Sequence, residues 1–115
     1  MLKIIQLSEK VFDIIVMNPP FGALSLGSRD YLIETYPMSK HNLLSIFVER
    51  GIELLRNEGY LAAITARTPF FIHSFENWRE KIILNQANFD IMADLGHGIM
   101  DEATVEAAAF IMEKK

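Results

Sequence analysis

The sequence predicts an α/β layer of about four strands with helices between them, mostly parallel, closed by an antiparallel hairpin. Two observations predict it. Short β-branched apolar runs, each stopped by Gly, Pro or Asn, alternate with longer segments whose apolar residues recur at helical spacing. The order reads strand, helix, strand, helix, strand, strand, and a crossover helix between strands is the signature of parallel pairing.

Phe12 to Met17 is the first strand, ended abruptly by Asn18-Pro19-Pro20. It is apolar on both parities, the pattern of a strand buried on both faces of a sheet. Residues 22–41 show no clear period and contain Gly22, Gly27 and Pro37, so they read as one long loop, a length usually associated with function. From Asn42 to Asn57, Leu43, Leu44, Phe47, Leu54 and Leu55 recur at helical spacing, and Gly59 stands where a left-handed cap would end the helix. Tyr60 to Thr65 is the second strand, closed by Arg67-Thr68-Pro69. A second helix is expected to start at Ser74, with Phe75, Trp78 and Ile82 on its buried face. Phe89 to Leu95 is the third strand, turned by Gly96-His97-Gly98, and Val105 to Met112 is the fourth. The run Ala107-Ala108-Ala109 within it suits a helix equally well.

At 115 residues the chain is one domain, with no repeat, low-complexity tract or linker. Half of it is hydrophobic and 23% charged, the composition of a chain that folds. A net charge of −4 argues against a stand-alone nucleic-acid binder. The absence of cysteine excludes disulfides, zinc-thiolate sites and a catalytic thiol. No apolar run is long enough for a membrane span and no signal peptide is evident, so a cytoplasmic protein without membrane contact is expected.

Several motif-like segments lack what their chemistry requires. Gly22 to Arg29 begins like a phosphate-binding loop, but Ser28 and Arg29 replace the Lys and Ser/Thr that would reach phosphate and magnesium. Gly96-His97-Gly98 has no third glycine, since Asp101 stands there, and reads as a tight turn. His41, His73 and His97 have no ligand-like spacing, so no metal site is expected. Asp94, Asp101 and Glu102 flank a turn and read as solvated carboxylates rather than an acid/base pair; Trp78 reads as core.

Asn18-Pro19-Pro20-Phe21 carries chemistry. It follows the first strand directly, and open α/β sheets bind ligands at the carboxyl ends of strands. Both prolines fix φ near about −65° and lack an N–H, and Asn18, standing before a proline, is pushed to extended geometry. The corner is stiff and offers carbonyl oxygens with few competing donors. With the Asn18 side-chain oxygen it forms a pair of acceptors, suited to an NH₂ group, while Phe21 supplies a flat face for a planar substrate. The bland alternative is a Pro-Pro turn that only ends a strand, with Phe21 packed on the core.

The tetrapeptide resembles motif IV of the S-adenosylmethionine-dependent amino-methyltransferases, DNA adenine-N6 methyltransferases above all. The likeness continues through Phe12 to Gly22, Asn42 to Arg50, Gly59 to Thr65, Trp78 to Gly96 and Met100 to Val105. Tyr36-Pro37-Met38-Ser39-Lys40 resembles the large PglX-like methyltransferases of phage-defence systems. The resemblance implies the second half of a Rossmann-like methyltransferase sheet, with residues 1–115 forming a partial catalytic domain. The Gly-rich cofactor half is expected outside the chain, and the isolated chain is expected to be inactive. It implies a flipped adenine stacked on Phe21, its amine held by Asn18 and the Pro19 carbonyl, with Pro20 and Gly22 shaping the corner. Met100 stands where the family often has an aromatic second wall. The implied cofactor is S-adenosyl-L-methionine and the implied partner is DNA, contacted through regions outside the chain. The acceptor pair would equally serve a protein glutamine or an RNA base, and a non-catalytic remnant of the fold is the remaining alternative. An apolar strand such as Ile14-Ile15-Val16 left at a sheet edge is an association template, so a homo-oligomer is also expected.

Overall fold

The computed structural model describes residues 11–96, 98 and 106–115. Four strands form one sheet in the order β1-β2-β4-β3: β1 Phe12–Met17, β2 Leu55–Ala66, β3 Ala87–Gly96 and β4 Ala107–Lys114. β1 and β2 run parallel, with Ile15 opposite Leu61 and Met17 opposite Ala63. β4 is antiparallel to both neighbours, Ala63 pairing with Phe110 and Met92 with the same Phe110 from the other side. The three alanines 107–109 are strand, because β2 and β3 supply hydrogen-bond partners on both edges. The expected α/β sheet is present, and its carboxyl rim gathers the ends of β1, β2 and β3.

One face of the sheet is covered. Helix α2, Leu43–Leu54, packs Leu44, Val48 and Ile52 onto Leu61. Gly51 is where α2 comes closest, since a Cβ there would lie 2.7 Å from both Leu61 Cδ1 and Met17 Cε. A π-helix, Trp78–Ile83, completes the layer. Trp78 is buried, as its spacing predicts, and its indole N–H donates to the Ser45 carbonyl at 3.2 Å. Phe70 packs beside it at a ring separation of 5.6 Å and meets Phe110 at 5.3 Å.

The other face is bare among the described residues. Val16 stands beside Ala62, Ala62 beside Ile111 and Ile111 beside Ile91, an apolar row across all four strands. Val16 is 77% exposed and Ile14 66%. The expectation that β1 is buried on both faces is not met among the described residues: there β1 has β2 as its one neighbour, and Ile14 and Val16 stand exposed.

Three local readings also change. Gly59 does not cap α2, which ends at Leu54 and passes directly into β2. The left-handed residue is Glu58, at φ 67°, and Gly59 is required because a Cβ would lie 2.9 Å from the Asp13 carbonyl oxygen of β1. The loop 22–41 contains a helix, α1, Arg29–Thr35, which buries no residue and so leaves no apolar period to read. Ser74 lies inside a 3₁₀ turn, His73–Phe75, rather than capping a helix, although Phe75, Trp78 and Ile82 are buried as expected.

Glu49 of α2 is nearly buried and accepts a hydrogen bond from Ser39 Oγ at 2.6 Å. Burial lifts its pKa above the ordinary 4.5, the Ser39 bond opposes the rise, and the charge of Glu53 adds to it. A raised folded-state pKa means that the native chain holds this proton longer than the unfolded chain. The contribution is thus fully present below about 4.5 and is lost as pH rises through the folded value. Glu49→Gln keeps an acceptor for Ser39 and removes the titration. Urea midpoints measured from pH 4 to 7 should fall for the wild type relative to this variant.

Candidate functional site at the carboxyl rim

Met17 is the last paired residue of β1, and the chain leaves the sheet through Asn18-Pro19-Pro20-Phe21. Pro19 is buried and anchors the corner, whereas Asn18 and Pro20 are exposed. The Phe21 ring is 45% exposed, so the reading in which it merely packs on the core does not hold. Asn18 is also the one polar residue lining a hollow of about 500 Å³ on the bare sheet face, otherwise walled by residues such as Val16, Ala62, Ile91 and Ile111.

The corner is tied down from its far side. Gly22 N–H donates to Asn42 Oδ1 at 2.9 Å, and the Gly22 carbonyl accepts from Leu43 N–H at 3.0 Å. The same Asn42 oxygen accepts from Leu44 N–H at 3.0 Å and so caps α2. Both backbone groups of the residue after Phe21 are therefore held by the start of the helix. Sequence reasoning placed Asn42 at the helix start without assigning it this second bond; an Asn before an apolar helical run signals the cap, but nothing in the sequence signals Gly22 as its other partner.

Further along the rim, Arg67 follows β2 and pairs with Asp94 at the end of β3 and with Glu106 before β4. Its backbone N–H donates to the Glu106 carbonyl at 2.9 Å. Asp94 additionally accepts from Gly96 N–H at 3.1 Å, and Gly96 has φ 70°, the left-handed geometry of the turn its sequence suggests. Asp94 is thus a structural partner of Arg67 rather than an unengaged carboxylate. Asn18 and Arg67 share the rim because β1 and β2 are parallel. Met100, Asp101, Glu102 and His97 lie outside the described residues, and the expectation for Met100 with them.

A mixed four-stranded sheet with an Asn-Pro-Pro-Phe corner at its carboxyl rim defines the class: a methyltransferase-like α/β fold. A protein of Listeria monocytogenes described as a class I S-adenosylmethionine-dependent methyltransferase superposes with a TM-score of 0.75 at 17% identity, over 91% of this chain and 32% of that one. Residues 3–99 match the model of the Eco57I restriction-modification methylase, and the chain belongs to that family. It is 31% identical over 90% of its length to adenine-specific methyltransferase PglX of Lacticaseibacillus casei. Identity to adenine-specific methyltransferase BrxX of Escherichia coli O9:H4 is 26%, over 89% of the chain. The chain spans 9% of the length of each of these two relatives.

Asn42→Ala should cost about 1 kcal/mol for the lost cap, with a further loss from the unpaired Gly22 N–H. Hydrogen exchange should show Gly22 and Leu44 amides losing protection together. Loss of protection at Leu44 alone would mean that the corner holds without Asn42.

Proposed function

We propose that this chain forms the amine-binding part of an adenine-specific DNA methyltransferase acting in restriction-modification or phage defence. The observation that carries the reading is the stiff Asn18-Pro19-Pro20-Phe21 corner at the carboxyl end of β1, with Asn18 and the Phe21 ring both open to a substrate. Its family and the adenine-specific methyltransferases among its relatives support it. An adenine extruded from the duplex stacks on Phe21, because its amine is out of reach within the stack. Asn18 Oδ1 and the Pro19 carbonyl each accept one of the two amine hydrogens. Holding both draws the nitrogen lone pair out of conjugation with the ring and makes it available to accept a methyl group. These acceptors are fixed before the base arrives, the arrangement that favours a transition state over a ground state.

The methyl donor in this reading is S-adenosyl-L-methionine. The described hollow beside Asn18 does not by itself fit it, since its walls are apolar and offer no carboxylate for ribose hydroxyls. Asn18, Pro19 and Phe21 thus act on the amine alone. Residues 1–115 are accordingly proposed as a partial catalytic domain whose cofactor-binding half lies elsewhere, inactive by itself and working in the cytoplasm where the DNA is. The small share of its relatives that the chain spans supports this.

In the complete methyltransferase, Asn18→Ala should lower single-turnover methyl transfer about 100- to 1,000-fold with DNA binding nearly unchanged. Phe21→Ala should weaken the extruded-base complex, read with a fluorescent base at the target position, whereas Phe21→Tyr keeps the stacking face and should be mild. An unchanged rate in Asn18→Ala, or transfer to a protein or RNA amine in place of DNA adenine, would reject the reading.

We infer in addition that the chain self-associates through the free edge of β1. β1 has one neighbour, β2, among the described residues, and the bare apolar row runs up to its other edge. An unpaired apolar edge is a template for another strand. Light scattering on the 115-residue chain should report a dimer or larger species, and a 13.1 kDa particle at high micromolar concentration would refute it.

A further inference from the structure

A second hollow, of about 490 Å³, opens beside the corner and is lined by Ala23, Leu24, Arg29, Ile33, Lys40 and His41. Arg29 and Ile33 stand one turn apart on α1, so they present from the same side of that helix. Ala23 and Leu24 directly follow Gly22, and Lys40 and His41 directly precede Asn42. The two walls are therefore joined by the bonds between Gly22, Asn42 and Leu43. Two more hydrogen bonds hold the frame: Ser39 Oγ to Glu49, and the Ser25 and Ser28 hydroxyls to each other at 2.7 Å. His41 also rests its ring edgewise on Phe75, 6.1 Å between centroids.

The charge of this hollow runs against that of the chain. The net charge is −4, yet no carboxylate lines the hollow. Arg29 and Lys40 make no ion pair with any described residue, in contrast to Arg50, Arg56 and Arg67, which all do. Two unneutralised cations over an apolar floor, with an imidazole beside them, suit a phosphodiester: oxygens for the cations, a sugar for Leu24 and Ile33. The position is equally telling. Ala23 is two residues from Phe21, so their Cα atoms lie within about 7 Å.

We propose that Arg29, Lys40 and His41 bind a backbone phosphate of the strand whose base stacks on Phe21. The inference rests on the base-methylation reading for that base, and it places one DNA contact within a chain whose DNA contacts were expected to lie outside it. Phosphate contacts position a strand without reading its sequence. Gripping the backbone next to the extruded nucleotide would hold the base over the Asn18 acceptors, and the shared Gly22–Asn42 tie would keep grip and acceptors in one frame.

Amide NMR on the full chain tests this, titrated with a short single-stranded oligodeoxynucleotide carrying one central adenine. Resonances of Arg29, Lys40 and His41 should shift, with a logarithmic affinity that falls as salt rises. Replacing both cations, by Arg29→Gln with Lys40→Gln, should make that salt slope shallower by about 0.7 per residue. An oligonucleotide with neutral methylphosphonate linkages should leave the hollow unshifted. A salt slope unchanged by the double substitution, or shifts in the hollow that survive the neutral backbone, would overturn the proposal, as would an unresponsive hollow. An abasic site in place of the adenine separates the two readings. It should abolish shifts at Phe21 and spare those in the hollow; a Phe21 resonance indifferent to the base would count against adenine while leaving the phosphate site standing.

Discussion

One oxygen atom, Oδ1 of Asn42, joins the Asn-Pro-Pro-Phe corner to helix α2. It accepts from Leu44 to begin α2 and from Gly22 to hold the Asn-Pro-Pro-Phe corner, while Leu43 closes the pair by donating to the Gly22 carbonyl. The corner is thus stiff for two independent reasons. Prolines limit it from within, and the helix start clamps it from beyond Phe21. The amine-binding role proposed for the corner would need that rigidity, because a site loose by an ångström loses much of its advantage. The clamp in turn depends on α2 being seated correctly, which Gly51 permits by letting the helix approach Leu61 and Met17 of the sheet.

What could be read from the sequence follows the range of the interaction. β1 is legible because an apolar run meets Asn-Pro-Pro within six residues, and Trp78 is legible as core because its neighbours Phe75 and Ile82 repeat its spacing. Gly59 was misassigned because a cap and a close backbone contact demand the same residue; only the position of Asp13 on β1 distinguishes them. Helix α1 was invisible since it buries nothing. β1 read as doubly buried because composition reports what a strand can bury, not what covers it.

The candidate site divides in the same way. Asn18 to Phe21 are contiguous, and their stiffness is a property of the tetrapeptide, so sequence alone locates them. Arg67, Asp94 and Glu106 come together only because β4 runs between β2 and β3 and brings their ends to one rim. The basic hollow likewise draws on residues up to 18 positions apart, and the overall negative charge conceals it. Charge balance describes a whole chain; recognition of a phosphate needs only a few ångströms of it.

The strand order has a consequence for how the molecule is made. Among the described residues β3 pairs with β4 alone, and β4 is the later of the two to leave a ribosome. Until it arrives, β1 and β2 can pair, but β3 waits with both edges open and Phe89 without Phe110. β4 enters between β2 and β3 at a sequence separation of about forty to fifty residues from β2, a topology that slows folding. During that interval the nascent chain exposes unpaired strand edges, the condition in which polypeptides misassociate. The contacts of Arg67 with both Asp94 and Glu106 are complete only once β4 lies between β2 and β3.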